Sequence, residues 1–219
     1  MDFYQQLQHA TANERATLFS APLITAALAG QVTRQHYIQF LSRAYHHVKH
    51  TVPLLMACGA RLPDRQEWLR SAVAHYIEEE IGHHEWILND IAAAGGDAAA
   101  VRASAPDFDT DVMVAYAYDT VMRRNPIGFF GMVYVLEGTS VSLASNAAHV
   151  LQDVLELPPS AFSYLSSHGA LDVEHIGDFE QLVNRLDTPA DREAVLSHAK
   201  TFFRLYGNVF RSIEIEEVA

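Results

Sequence analysis

Residues 125–157 read NPIGFFGMVYVLEGTSVSLASNAAHVLQDVLEL, a long and mostly apolar segment. Asn125 can cap a helix and Pro126 suits a first helical turn, so we expect a helix to begin there. Pro158 and Pro159 break the chain after it. The segment therefore predicts one long helix, whose apolar first half is interrupted by a single carboxylate, Glu137.

The rest of the chain repeats the helical period of 3.6 residues and contains no convincing alternating strand. Pro53 falls inside a segment that Thr33 caps, and we expect it to kink that helix rather than end it. Gly30 and the pair at 95–96 are expected helix stops. The predicted helices cover about 2–10, 13–29, 34–62, 67–94, 110–124, 127–157, 168–186 and 190–215. These segments predict an all-α bundle of about seven or eight helices that forms one domain, residues 1–219.

Composition excludes several classes of function. The 219 residues are 49% hydrophobic and carry a net charge of −12, which disfavours binding to nucleic acid or to an anionic membrane surface. No apolar run is expected to reach the roughly 18 residues of a membrane span. The first residues, MDFYQQLQHA, lack the basic and apolar regions of a signal peptide. With one cysteine, Cys58, the chain is expected to be a cytoplasmic protein without an intrachain disulfide.

Glu137 is unusual because the twelve residues before it carry no charge. Burying an unpaired carboxylate costs several kcal/mol, so a buried one needs a cation, a hydrogen-bond network or a raised pKa. The alternative is a narrow polar face that Glu137 shares with Thr139 and Ser140. The uncharged run favours the buried position.

A second group of candidate ligands lies in YIEEEIGHHEW, residues 76–86. Glu80 and His83 form a Glu-x-x-His pair, the spacing that places metal ligands on one face of a helix in carboxylate-bridged di-iron bundles. Glu79 with His83, or Glu80 with His84, is also possible at a spacing of four. The alternative is a solvated acidic run, which describes most charge runs.

A third group lies in SHGALDVEHIGDF, residues 167–179, where His168, Asp172 and His175 are spaced four and three apart. These side chains fall on one face of a helix. Two histidines on a polar face, with an aspartate near a helix N-terminus, would also account for them.

Together the three groups supply three carboxylates and three imidazoles from three helices. Three carboxylates against two ferrous ions leave a residual charge of about +1, and mixed nitrogen and oxygen ligands suit iron or manganese. The absence of thiolates argues against a structural zinc or an iron–sulfur site. The predicted metal ligands are Glu80, His83, Glu137, His168, Asp172 and His175.

In EEEIGHHEW, VLEGTS and HGALDVEH, in that order, the chain resembles the haem-oxygenase-like di-iron oxidase and oxygenase superfamily, often called iron-containing redox enzymes. That superfamily shares its fold with the TenA thiaminases and the pyrroloquinoline-quinone synthesis protein PqqC. The resemblance implies two Fe²⁺ ions that bind and reduce dioxygen to oxidise a small molecule such as a fatty acid or an amino acid. It implies that Glu80, His83 and His168 hold one iron, and that Glu137, Asp172 and His175 hold or bridge the second.

Other residues allow further hypotheses. Tyr45, His46 and His50 could line a substrate pocket, as could Phe130 and Tyr134, although packed core positions are an alternative for each. A homodimer is expected, because dimers are the commonest assembly.

Three other functions stay open at this point. A TenA-type hydrolase needs an activated cysteine in the cleft, and Cys58 is the one cysteine available. A haem oxygenase needs a proximal histidine on the first helix, where His9 lies. A non-catalytic binding protein on the same fold is the third.

Overall fold

The computed structural model describes residues 1–215, with the side chains of residues 168–175 outside that description. Within this part of the chain all the regular structure is helical, which confirms the all-α fold class. Its twelve α-helices are α1 (Phe3–Ala10), α2 (Ala12–Phe19), α3 (Pro22–Leu28), α4 (Arg34–Val48), α5 (Thr51–Arg61), α6 (Glu67–Glu80), α7 (His83–Ala93), α8 (Ala98–Ala103), α9 (Phe108–Arg123), α10 (Phe130–Leu155), α11 (Ser163–Asn184) and α12 (Pro189–Arg211). Short 3₁₀ helices cover Asp64–Gln66, Pro126–Phe129 and Pro159–Ala161.

Side-chain caps fix several of these helix starts. Asp2 and Thr33 form capping boxes with the third helical residue of α1 and α4, and Asp107 accepts from the first turn of α9. Thr188 caps α12, with Pro189 in its first turn, as the sequence predicts. Asn125 caps the 3₁₀ helix that leads into α10, so the long apolar helix begins a few residues later than expected.

Several helices that the sequence predicts as continuous are divided. The segment expected to kink at Pro53 instead ends at Val48 and restarts at Thr51. Proline cannot donate a hydrogen bond to the carbonyl four residues earlier, at Lys49, and its ring clashes with that carbonyl. Placing Pro53 in the first turn of α5 removes both problems. The expected helix over 13–29 is likewise split before Pro22, which begins α3.

The segment expected as one helix over 67–94 is divided at Ile81 and Gly82. Gly82 has a backbone φ of +93°, in the left-handed region that side-chain-bearing residues rarely adopt. α6 therefore ends at Glu80 and α7 begins at His83, so these two residues do not share a helix as the sequence predicts.

α10 is the central helix of the bundle and packs against α11, α12 and α3. α4 packs against α7 and α9, and α5 packs against α6 and α9. Gly131 permits the close approach of α12, because a Cβ at this position would lie 2.6 Å from the backbone nitrogen of Ala199. This packing places α10 directly against α11, the helix that contains the third group of predicted ligands.

Within the described residues, Pro126–Leu155 is long and apolar enough by composition to cross a membrane, with a mean hydropathy of 1.4 over an 18-residue window. The expectation that no segment reaches this length is therefore wrong, because one glutamate and a few hydroxyls barely lower the average. Some 67% of the window is buried among the other helices. A mostly buried core helix passes the same test, so composition alone is weak evidence for a membrane span.

Candidate functional site

A cavity of about 160 Å³ lies beside α10, bounded also by α3, α4 and α12. Most of its lining residues are apolar, and among the described residues that line it there is no lysine or arginine. Its polar lining side chains are His36, His47, Thr51, Tyr76, Glu80, Glu137, Thr139, Ser140, Tyr164, Tyr206 and Tyr37. Two of the predicted metal ligands, Glu80 and Glu137, therefore face one cavity from two different helices.

Glu80 and His83 meet across the junction between α6 and α7. The Nδ1 atom of His83 lies 3.1 Å from Oε2 of Glu80, and the two side chains are only 3% and 11% exposed. The pair is therefore close although it is not helical, because the left-handed Gly82 turns the chain between them. His84, the competing histidine, points instead to Glu85 at 3.3 Å and its side chain is 36% exposed.

Glu137 is the third described ligand candidate and is 9% exposed. Tyr76 lines the same cavity from α6, one helical turn before Glu80. Burial raises the pKa of the Tyr76 phenol, and the negative charge of Glu137 raises it further. The phenol is thus protonated at neutral pH and places a hydroxyl group beside the carboxylates.

An aromatic wall closes the side of the cavity formed by α4 and α12. His47 lies edge-on to Tyr206 at a centroid distance of 5.7 Å, and Tyr206 contacts Phe210 at 4.7 Å. Phe210 stacks on Phe40 at 6.0 Å, and Phe40 stacks on Tyr37 at 6.3 Å. These rings form one continuous aromatic side of the cavity.

The structure brings together three of the six predicted ligands, two on the cavity wall and His83 in contact with one of them. The side chains of His168, Asp172 and His175 lie outside the described residues. The assignment of all six residues as metal ligands stays a prediction. Among the side chains that are described, no three or more His, Cys, Asp or Glu residues lie close enough together to form a metal site by themselves. The donors that are present, two carboxylates and an imidazole, fit iron or manganese in their chemistry.

The five residues that the sequence suggested for a substrate pocket do not line this cavity. His46 is buried in a polar cluster, where its ring contacts Ser104 at 2.9 Å and Lys49 at 3.2 Å. His50 contacts Tyr118 at 3.1 Å, and burial lowers the pKa of both histidines, with Lys49 adding to the effect.

The remaining three are core side chains. Tyr45 packs edge-on against His46 at 5.3 Å, Phe130 is fully buried, and Tyr134 stacks on Phe179 at 5.7 Å. The packed positions that the sequence allowed as an alternative are the ones these residues occupy.

Sequence reasoning missed His47, a buried α4 histidine that lines the cavity and is 3% exposed. A signal for it exists. Positions 37, 40, 44, 47 and 51 follow the spacing of one helical face, and four of the five line the cavity. His46 and His50 lie off this face.

Two residues that other functions would need are poorly placed for them. Cys58 is fully buried, donates its thiol to the carbonyl of Pro126 at 3.4 Å, and burial raises its pKa to about 12. This is the environment of an inert structural thiol rather than of an activated nucleophile. His9 is exposed on α1 and is not among the residues that line the cavity.

Solved structures of the same fold are found in several proteins. A domain of unknown function with a heme oxygenase-like fold from Shewanella denitrificans superposes with a TM-score of 0.84 at 24% identity, covering 97% of this chain and 92% of that one. A TenA homolog from Pseudomonas syringae pv. tomato gives 0.79 at 13% identity, covering 96% and 91%. Heme oxygenase-1 from the cyanobacterium Synechocystis, in complex with heme, gives 0.76 at 13% identity, covering 98% and 93%.

At these identities the structural likenesses establish the fold alone. None of the curated proteins compared with the sequence matches it. The family model of the iron-containing redox enzymes matches residues 38–207, a range that includes most of the cavity lining, the junction between α6 and α7, and all six predicted ligands. The chain therefore belongs to the family of iron-containing redox enzymes with a haem-oxygenase-like fold.

Proposed function

We propose that the protein is a non-haem di-iron oxidase or oxygenase that uses dioxygen to oxidise a small organic molecule. The observation that carries this proposal is the convergence of Glu80 and Glu137 on one largely apolar cavity, with His83 in contact with Glu80. Glu80 and His83 would hold one Fe²⁺ and Glu137 the other, with His168, Asp172 and His175 completing the set. Manganese is the alternative metal.

Bound iron would supply the one-electron chemistry that dioxygen requires. The chain itself contributes the environment. Its aromatic and aliphatic walls exclude water from the carboxylates, which strengthens every electrostatic interaction among them. Tyr76 holds a proton at its Oη atom beside Glu80 and Glu137, where a substrate or its product could accept a hydrogen bond.

The alternatives receive less support from the same residues. The buried thiol of Cys58 lies away from the cavity, which disfavours a TenA-type nucleophile, and exposed His9 is poorly placed as a proximal haem ligand. A binding protein on this fold would have no need for carboxylates in an apolar cavity, where they cost stability. We further propose dioxygen and a small molecule as the partners, a homodimer, a cytoplasmic location, and no binding to nucleic acid or membranes.

Anaerobic titration with Fe²⁺, followed by measurement of iron per chain, tests the proposal. Wild-type protein is expected to approach two irons per chain, and Glu80→Gln and Glu137→Gln are each expected to lose half or more of that iron. Glu78→Gln is the matched control, because Glu78 is an exposed carboxylate two residues from Glu80 and does not line the cavity. It should bind iron as the wild type does.

Two results would overturn the proposal. Uptake of less than about a tenth of an iron per chain by the wild type removes the di-iron centre. Equal iron content in the wild type and in both cavity variants removes the assigned ligands, even if the protein binds iron elsewhere.

A further inference from the structure

Two hydroxyl groups, those of Thr139 and Ser140, lie on the cavity wall within one turn of Glu137. Thr139 is 5% exposed, and both hydroxyl oxygens are buried. Within the described part of the chain neither hydroxyl has a hydrogen-bond partner. Leaving a buried hydroxyl without a partner costs about 1–3 kcal/mol, so this arrangement requires an explanation.

Other hydroxyls in helices of this chain bond to the carbonyl four residues earlier. Thr11 donates to Leu7 at 2.7 Å, and Ser142 donates to Gly138 at 2.7 Å on the same helix as the unpartnered pair. Thr120, in α9, does the same at 2.8 Å. This backbone contact is the usual solution for serine and threonine inside a helix. Thr139 and Ser140 do not adopt it, although their helix is continuous.

The surroundings of the two hydroxyls define what could bind them. Leu136 precedes them on the cavity face of α10, and Leu143 and Ala144 follow. Beyond these, α3 contributes further aliphatic side chains to the same wall. The nearest ionisable group on the helix is Glu137, an acid, and no described lysine or arginine lines the cavity. In the metal-free protein the hydroxyls therefore form a polar spot in an apolar surface, next to the negative charge of Glu137.

We propose that Thr139 and Ser140 bind a neutral oxygen-bearing group of the substrate, a hydroxyl or a carbonyl. The aliphatic wall of α3 and α10 holds the hydrocarbon part of the same molecule. The group that these two hydroxyls bind is thus a neutral oxygen-bearing group of an apolar compound rather than a carboxylate. That the bound molecule is a substrate rests on the proposed function, whereas the existence of the binding site does not.

Binding of 1-hexanol, hexane and hexanoate to the full-length chain, measured by NMR titration, tests this inference. In the wild type, 1-hexanol is expected to bind more tightly than hexanoate. The double variant Thr139→Val with Ser140→Ala should weaken 1-hexanol by about fivefold or more and leave hexane unchanged, because only the alcohol loses hydrogen bonds. Ser142→Ala is the matched control, since that hydroxyl is exposed and already bonded to the backbone.

The titrations are run on metal-free protein and again with Fe²⁺ under anaerobic conditions. If the affinity of metal-free protein for 1-hexanol depends on the two hydroxyls, the binding site is supported even when the protein binds no iron. The binding site and the proposed di-iron function can therefore be rejected independently of each other. Unchanged 1-hexanol binding in the double variant, an equal loss for hexane, or tighter binding of hexanoate than of 1-hexanol to the metal-free protein would overturn the inference. Thermal melting checks the fold, and the single variant Ser140→Ala replaces the double variant should that one unfold.

Discussion

Asp191 and Glu137 are both buried carboxylates, but the chain surrounds them in opposite ways. Asp191, in the first turn of α12, is fully buried and accepts hydrogen bonds from three side chains. Arg65 donates to both of its oxygens at 2.6 and 3.1 Å, Gln66 at 3.0 Å and Asn125 at 2.9 Å. These hydrogen bonds therefore connect the start of α12 to the 3₁₀ helix before α6 and to the cap of the 3₁₀ helix before α10.

Glu137 lies in the middle of α10, on the wall of a cavity whose lining is mostly apolar. The side chains that share this wall include Tyr76 and the hydroxyls of Thr139 and Ser140, none of which is a cation. The comparison teaches that burial by itself does not mark an acid as functional. The distinguishing feature is whether its surroundings form a closed structural network or open onto space that a ligand could enter.

Replacing each acid by its amide separates the two roles and gives the largest expected effect. Asp191→Asn should lower the free energy of unfolding by about 2 kcal/mol or more, because it removes charge-assisted hydrogen bonds and leaves an amide group facing cationic Arg65. Glu137→Gln should change the free energy of unfolding by less than about 1 kcal/mol, since the substitution removes a buried charge and keeps a polar side chain of nearly the same shape. Urea unfolding of metal-free protein at pH 7 measures both.

The iron measurements should show the reverse order. Asp191→Asn is expected to retain wild-type iron per folded chain, whereas Glu137→Gln loses it. A comparable loss of stability in the two variants would show that Glu137 is also a structural acid, and the contrast would then fail.

The burial of Glu137 could be predicted because the evidence is local: the residues nearest to it on both sides in the sequence are uncharged. The role of Asp191 could not be predicted, because Arg65 and Asn125 are remote from it in the sequence. The segment that begins with it, DREAVLSHAK, gives no sign of these partners. The all-α fold followed from helical periodicity in the same local way. Networks that join distant segments depend on which helices pack together, and helical periodicity does not show this.

The contact between Glu80 and His83 was predicted from helical spacing, yet the helix that justified it is absent. The pair meets because Gly82 adopts a left-handed conformation, which the sequence motif did not reveal. His47 was missed for a related reason. The three histidines between residues 46 and 50 form a cluster in the sequence, and clustering does not show which of them faces the cavity. The triad His168, Asp172 and His175 stays a prediction.

Acid unfolding should distinguish the structural carboxylates from each other. Burial favours the protonated form of Asp191, but the hydrogen bonds from Arg65 and Asn125 and the charge of Arg65 outweigh it and lower its pKa from 3.8 to about 2. The group therefore stabilises the fold above its unfolded pKa and loses this contribution as pH falls from about 4 to 2. The stability difference between the wild type and Asp191→Asn should shrink by about 2 kcal/mol over that range, measured by urea unfolding.

Asp90 is the matched comparison, because it is also fully buried but its donors are neutral. It accepts from the backbone nitrogens of Ser163 and Tyr164 at 3.1 and 2.8 Å, at the start of α11. Burial raises its pKa, and the hydrogen bonds offset this only in part. The wild type should therefore gain stability relative to Asp90→Asn as pH falls through the raised pKa. Slopes of the same sign for both acids would contradict the distinction.

The smallest expected effect concerns the junction that holds the Glu80 side of the cavity opposite Glu137. Gly82→Ala should lower the free energy of unfolding by about 1–2 kcal/mol, because alanine resists the φ of +93°. A Cβ at Gly82 would meet no atom within 4 Å, so the cost is conformational and not a clash.

Gly138→Ala is the matched control. It also meets no atom, lies inside α10, and should raise the free energy of unfolding by about 0.5–1 kcal/mol. If Gly82 positions the ligands, Gly82→Ala will also lower iron content, measured on the folded fraction, while Gly138→Ala leaves it unchanged. Wild-type iron in a destabilised Gly82→Ala would show that the turn serves the fold and not the site.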